Sequence, residues 1–322
     1  MIKVALVGLG GMGNVHFKAY LKMKNVELIA VADVRQDMAR EKLGEHSAAV
    51  YSTVDELLAN EKPDMIDICT PSYMHKEIAV KALMAGVHVL SEKPMSLNTL
   101  DTAEILDAAR KSGKLFMTAH VVRFMTPYRY LKSVIDSREL GLPVHIEMKR
   151  TSAIPKWSWE DWMRNEEKSG GAVIDLSIHD LDFVQYVFGQ PLDVSAVHYT
   201  LKNNSDYIVS NLIYDGFDVT VTGGWYSCDL KFSAEYRALF ENGYIELRDG
   251  TIYKNGEEVS LAKGDIAEDT GINISGVDGY ADEIAYFVSC IENGKSPEMV
   301  TPESSHNSIK LAERILSKAI NL

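Results

Sequence analysis

Lys93, Asp175 and His179 are the residues of this chain whose types and settings could do chemistry, namely moving a hydride and a proton. Lys93 lies between Glu92 and Pro94 at the end of an apolar stretch, 88–91, where it has less freedom than a surface lysine. Its ammonium could polarise a substrate hydroxyl or stabilise the alkoxide that develops as a hydride leaves. A salt bridge to Glu92 or another acid would use the residue equally well. Asp175, His179 and Asp182 recur at i, i+4 and i+7, which puts them on one face of a helix. Much of the remaining surface of that helix is apolar, so the polar stripe is buried and needs a partner or a task. His179 suits the removal of a hydroxyl proton, and Asp175 could orient its ring or bind a second hydroxyl. A structural histidine satisfied by hydrogen bonds is the competing reading. No third ligand stands at a metal-binding spacing, so no metal is expected.

The elements that must position these groups begin with a socket for phosphates. Ile2–Val7 reads as a buried strand running into Gly8-Leu9-Gly10-Gly11-Met12-Gly13, and an amphipathic helix follows over 14–23. A second strand, 27–32, ends at Asp33. Glycines between a strand and a helix, with an acid about 20 positions on, form the dinucleotide fingerprint. Gly8 would permit the turn, Gly10 the approach of a pyrophosphate, and Gly13 close packing of helix on strand. Asp33 would accept hydrogen bonds from the adenosine ribose, which favours NAD; Arg35 leaves room for NADP.

Strands at 65–70, 88–91 and 115–119 alternate with helices at 37–44, 73–85 and 99–112, and Thr53 to Glu56 resembles a capping box. This alternation implies a doubly wound parallel sheet covered on both faces. Ligands of such sheets bind beyond the carboxyl ends of the strands. Those ends carry the glycines, Asp33, Thr70-Pro71-Ser72-Tyr73, Glu92-Lys93-Pro94, and His120 with Arg123.

The pattern changes past about 122, so two domains are expected, 1–122 and 123–322. The second is read as α+β, built on a large, mainly antiparallel open sheet. Helices are expected at 126–137, 172–188, 278–293 and 302–320, and strands at 144–151, 207–214 and 217–222. Asn242-Gly243, Asp249-Gly250 and Asn255-Gly256 are hairpin signals. The segment 262–279, glycine-rich and acidic, reads as a surface loop. Trp157, Trp159 and Trp162 before the Gly170-Gly171 pair could pack on a sugar or on nicotinamide, as could Tyr280, and would serve equally as core.

A formal net charge of −13 argues against nucleic acid or an anionic membrane as partner. The three cysteines are scattered, which suits a reducing cytoplasm. Neither a signal-peptide pattern nor an apolar run of membrane-spanning length is expected.

The ordered landmarks Gly8-x-Gly10-x-x-Gly13, Thr70-Pro71 with His75, Glu92-Lys93-Pro94, His120-x-x-Arg123-Phe124, Gly170-Gly171 through Asp175-x-x-x-His179, and Gly279-Tyr280 resemble the Gfo/Idh/MocA oxidoreductase family over essentially the whole chain. The resemblance implies a Rossmann domain followed by an α/β domain whose open sheet mediates a homodimer or homotetramer. It implies NAD(P)-dependent hydride transfer at a hydroxyl-bearing carbon of a sugar, inositol or related polyol. Lys93 and His179 are then the catalytic pair, with Asp175 lining the substrate site. Cofactor contacts would come from residues 8–13 of the glycine loop, from Asp33, Val34 and Arg35, from Thr70 to Tyr73 with His75, and from Glu92 to Pro94 with Arg123. Substrate contacts would come from His120, Arg123, Trp157, Trp162 and Tyr280 beside the three catalytic residues. Two other functions compete: a glycosidase of this fold that uses NAD as a transient oxidant, and a non-catalytic NAD(H)-sensing regulator.

Overall fold

The computed structural model describes residues 1–201, 205–261 and 278–322. Apart from Asp278 and Gly279, the expected surface loop 262–279 lies outside the described residues. The chain divides into two compact units. One is Met1–Val121 with the described residues 278–306; the other runs from Val122 through the described residues to 261 and resumes with Asn307–Leu322.

The first unit holds β1 (Ile2–Val7), α1 (Gly11–Lys22), β2 (Val26–Ala32), α2 (Gln36–Leu43), β3 (Ala49–Tyr51), α3 (Val54–Asn60), β4 (Met65–Ile68), α4 (His75–Met84), β5 (His88–Glu92), α5 (Thr99–Ser112) and β6 (Phe116–Ala119). All six strands are parallel, in the order β3-β2-β1-β4-β5-β6. That is the expected doubly wound sheet, and the order reverses between β1 and β4, where such sheets bind ligands. Ala5, Ile66, Val89 and Phe116 of the strands join Ile78, Leu83 and Ile105 of the helices in one core. The capping box forms with a shifted partner: Thr53 caps the Glu56 N–H at 3.2 Å, and the Glu56 carboxylate returns to Ser52.

The second unit opens with α6 (Thr126–Ser137), β7 (Pro143–Ala153) and the short α7 (Glu166–Ser169). A π-helical turn, Val173–Ser177, leads into α8 (Ile178–Phe188). Then come β8 (Asp193–Thr200), β9 (Asp206–Ile213), β10 (Asp218–Tyr226), β11 (Ser233–Phe240), β12 (Gly243–Arg248), β13 (Thr251–Lys254) and β14 (Glu257–Val259). Helix α9 (Tyr280–Asn293) belongs to the first unit; α10 (Pro302–Lys318) begins in the first unit and ends in the second, which the strand β15 (Ala319–Asn321) completes. The large sheet runs β14-β13-β12-β11-β7-β10-β9-β8-β15. Among the described residues only the β7–β10 and β8–β15 pairs are parallel, so the sheet is mainly antiparallel as expected. Asp249-Gly250 and Asn255-Gly256 both take positive φ at each residue, the tight primed turn read from the sequence.

Two differences bear on the site. Helix α1 begins at Gly11, inside the glycine motif, because the loop's own backbone forms the first turn. The helix expected over 172–188 starts with the π turn, so Asp175 lies in a wider turn than His179.

Gly13 is fixed by backbone. A Cβ there would stand 2.0 Å from the Gly8 carbonyl oxygen, whereas one at Gly10 would meet only an Arg35 guanidinium nitrogen at 3.8 Å. Gly13→Ala should therefore destabilise the protein by about 1–3 kcal/mol or more through overpacking. Gly10→Ala should leave the urea midpoint near that of the wild type. Equal midpoints for both variants would refute this account of the loop.

Candidate active site

The glycine loop is built to receive an anion. Helix α1 opens on Gly10 with no side-chain cap and no acid in its first turn. Its first N–H groups and the positive end of its dipole are therefore left for a ligand. No protein atom needs glycine at position 10, which fits a backbone kept bare for a pyrophosphate. The residues present thus suit a dinucleotide.

At the end of β2, Asp33 is buried and both its oxygens are engaged. One accepts the Leu9 N–H at 2.9 Å; the other accepts the Arg35 N–H at 2.8 Å and its Nε at 3.3 Å. Lys42 of α2, which the sequence reading missed, reaches back to donate to the Leu9 and Gly10 carbonyls at 2.9 and 3.0 Å. Burial, then the Arg35 guanidinium, lowers its pKa. Val34 is exposed.

Further along this carboxyl edge, His75 joins two of the expected segments. Its ring nitrogens face the Pro94 carbonyl at 2.8 Å and the Thr70 carbonyl at 2.9 Å, and burial lowers its pKa. His75 therefore acts on the ligand edge as a tie between β4 and β5. Glu92 likewise turns inward: one oxygen meets His16 at 3.2 Å and the other accepts the Lys93 N–H at 3.0 Å. Lys93 itself is half-buried just past β5, and His120 is buried past β6. Ser72 is buried and Tyr73 exposed; Tyr280 is buried at the start of α9.

In the second unit the glycine pair leads into the segment that carries Asp175 and His179. Gly170 and Gly171 take φ of +75° and +68°, and Asp206 of β9 accepts the Ala172 N–H at 2.6 Å. Asp206 also bonds His198 at 2.6 Å, and this hydrogen bond raises the His198 pKa. Asp175 is buried in the π turn and His179 half-buried in the first turn of α8. Single π turns are frequent at functional sites. Asp182, the third member of the expected stripe, is instead spent on Arg123. Its carboxylate takes Nε at 2.8 Å and Nη2 at 2.6 Å, and accepts the Ser308 hydroxyl at 2.8 Å. Both partners are buried, so Arg123 serves as a brace of this unit. Trp162 packs with Ile154, Met163, Ala172, Leu176 and Trp225 beneath the π turn, while Trp157 is half exposed.

Removing one member of a buried pair strands the other charge. Asp182→Ala should cost about 3–5 kcal/mol in urea unfolding, and a loss under about 1 kcal/mol would refute the brace.

Residues 2–120 match the model described as the oxidoreductase family's NAD-binding Rossmann fold, and residues 128–246 match the GFO/IDH/MocA C-terminal domain. The chain is 30% identical over 208 residues to glucose-6-phosphate 3-dehydrogenase of Bacillus subtilis (strain 168), covering 63% of this chain and 59% of that protein. It is 30% identical over 187 residues to 2,7-anhydro-N-acetylneuraminate hydratase of Mediterraneibacter gnavus, covering 58% of this chain and 49% of that one. The chain thus spans about half to three fifths of the length of these curated relatives. Among solved structures, myo-inositol 2-dehydrogenase of Lactobacillus plantarum shares the fold with a TM-score of 0.82 at 22% identity, over 98% of this chain and 96% of that one. With matches to both of its domains in the expected order, the chain belongs to the GFO/IDH/MocA oxidoreductase family.

Proposed function

We propose that the protein is an NAD-dependent dehydrogenase acting on a hydroxyl-bearing carbon of a sugar, inositol or related polyol. The observation that carries this reading is Lys93, half-buried on the same carboxyl edge as the bare Gly10 loop. Strand β4 alone separates their strands, a span of two strand spacings or about 10 Å. NAD, when bound, supplies the hydride acceptor. Lys93 donates from Nζ toward the substrate oxygen and stabilises charge that builds there. His179 takes the hydroxyl proton on a ring nitrogen, and Asp175 fixes a neighbouring hydroxyl. The glycine loop holds the pyrophosphate, and Asp33 the ribose. We place the protein in the cytoplasm as a homodimer or homotetramer. Val144, Ile213 and Leu239, exposed on three strands of the large sheet, support the assembly.

The relationship to a hydratase supports a second reading, in which NAD is a transient oxidant and the overall reaction is redox-neutral. Following sugar conversion and net NADH together separates the two.

Lys93→Ala and His179→Ala should each lower kcat about 10²–10⁴-fold while NAD binding, read by calorimetry, stays within a few-fold. Near-normal turnover in either variant removes that residue from the mechanism. Because like charges set side by side cost several kcal/mol, the wild type should bind NAD at least about tenfold more tightly than NADP. An NADP preference would overturn the role given to Asp33.

A further inference from the structure

Under the nucleotide-binding sheet edge lies a cluster of buried ionisable groups that hydride transfer does not use. His16 of α1 is wholly buried. Its Nδ1 stands 2.7 Å from an Asp67 oxygen and its Nε2 3.2 Å from a Glu92 oxygen. Tyr20, one turn on in α1, donates its hydroxyl to the same Asp67 oxygen at 2.6 Å, and the Cys69 thiol lies 3.8 Å from the other. Glu283 of α9 joins the cluster; its carboxyl, the Glu92 carboxylate and His16 offer atoms within 4.8 Å of one another. Glu283 is fully buried, and neither of its oxygens has a hydrogen-bond partner.

The groups facing His16 are therefore Asp67 and Cys69 of the β4 end, Tyr20 of its own helix, Glu92 of β5 and Glu283 of α9, with Lys93 next to Glu92. Both ring nitrogens face carboxylates, an arrangement in which each donates an N–H. Burial alone would lower the His16 pKa, but the Asp67 charge, with Cys69, holds it well above its usual value. Burial first, and then the Glu92 charge, raise the Glu283 pKa well above its usual value.

The second oxygen of Glu92 accepts the peptide N–H of Lys93 at 3.0 Å. We propose that His16 is a positioning residue for Lys93: its ring, held between Asp67 and Glu92, fixes the carboxylate that in turn receives the Lys93 N–H. The same helix that presents its N-terminus to the pyrophosphate thus sets the backbone of the lysine two strands away. This rests on the reading of Lys93 as catalytic, whereas its structural half does not.

The test pairs His16→Ala with Glu92→Gln, the second being isosteric should the first fold poorly. Hydrogen exchange of the fragment containing Lys93 should quicken in both variants while that of α5 is unchanged. Turnover should fall about tenfold to a hundredfold, the scale of a 1 Å misplacement, with the Kd for NAD within about threefold of wild type. In the double variant the loss should match that of the worse single change, because both act through one carboxylate. Unchanged exchange at Lys93, or additive losses, would overturn the proposal. Stoichiometric zinc in purified wild type that His16→Ala removes would also overturn it, because the cluster would then be a metal centre. If exchange quickens as expected but Lys93→Ala turns over normally, the error lies in the catalytic reading and the brace stands.

Discussion

Everything in the nucleotide-binding unit depends on how closely α1 can lie against the end of β1. A Cβ on Gly13 would fall 2.0 Å from the Gly8 oxygen, and one on Gly8 would fall 2.7 Å from the Cys69 oxygen. No larger residue fits either place without moving backbone. That contact sets the line along which α1 leaves the sheet. At one end the line aims the first-turn N–H groups at a phosphate. One and two turns further on it brings His16 and Tyr20 over Asp67 of β4. Ligand recognition and the buried charge cluster are therefore two consequences of one steric condition.

The second unit solves a different problem, that of fixing the start of α8, next to which Asp175 and His179 lie. Helix α8 holds two buried aspartates, each taken by an arginine fork: Asp182 by Arg123, and Asp180 by Arg150, which also reaches Tyr128. Residues two apart on a helix point to nearly opposite sides, so the pairs fasten α8 on two flanks. Paired, such charges add little net stability against an apolar alternative; what they supply is a single acceptable position, because any slip exposes a bare charge to a dry interior. The π turn bearing Asp175 lies immediately before these anchors, with Asp206 capping the segment's other end.

What could be read from the sequence follows the range of the interaction concerned. Strand and helix alternation, the glycine fingerprint and the Asp249-Gly250 and Asn255-Gly256 turns are local signals, and all of them appear where expected. The polar stripe of Asp175, His179 and Asp182 shows where local reasoning stops. Its spacing assumes 3.6 residues per turn throughout, whereas the π turn over Val173–Ser177 breaks that period. Its third member answers to Arg123, 59 residues earlier, a pairing no spacing rule contains. His75 and Glu92 were legible as neighbours of a ligand edge. That their polar atoms turn inward, toward the Thr70 and Pro94 carbonyls and toward His16, is a property of packing between strands.

Lys42 shows how a residue outside every motif can complete one. A trans peptide points its C=O and the following N–H in opposite directions. By drawing the Leu9 and Gly10 carbonyls to one side of the loop, Lys42 turns the N–H groups of Gly10 and Gly11 to the other. Asp33 acts on the same loop from its other end, by taking the Leu9 N–H. Consecutive peptide groups are thus sorted: Leu9 donates inward to a carboxylate, and the next two N–H groups face away from the lysine. The anion-binding polarity of the loop is then set by a cation and an anion of the protein before any phosphate arrives. Glycine at position 10 allows this backbone path, and the charged pair selects it.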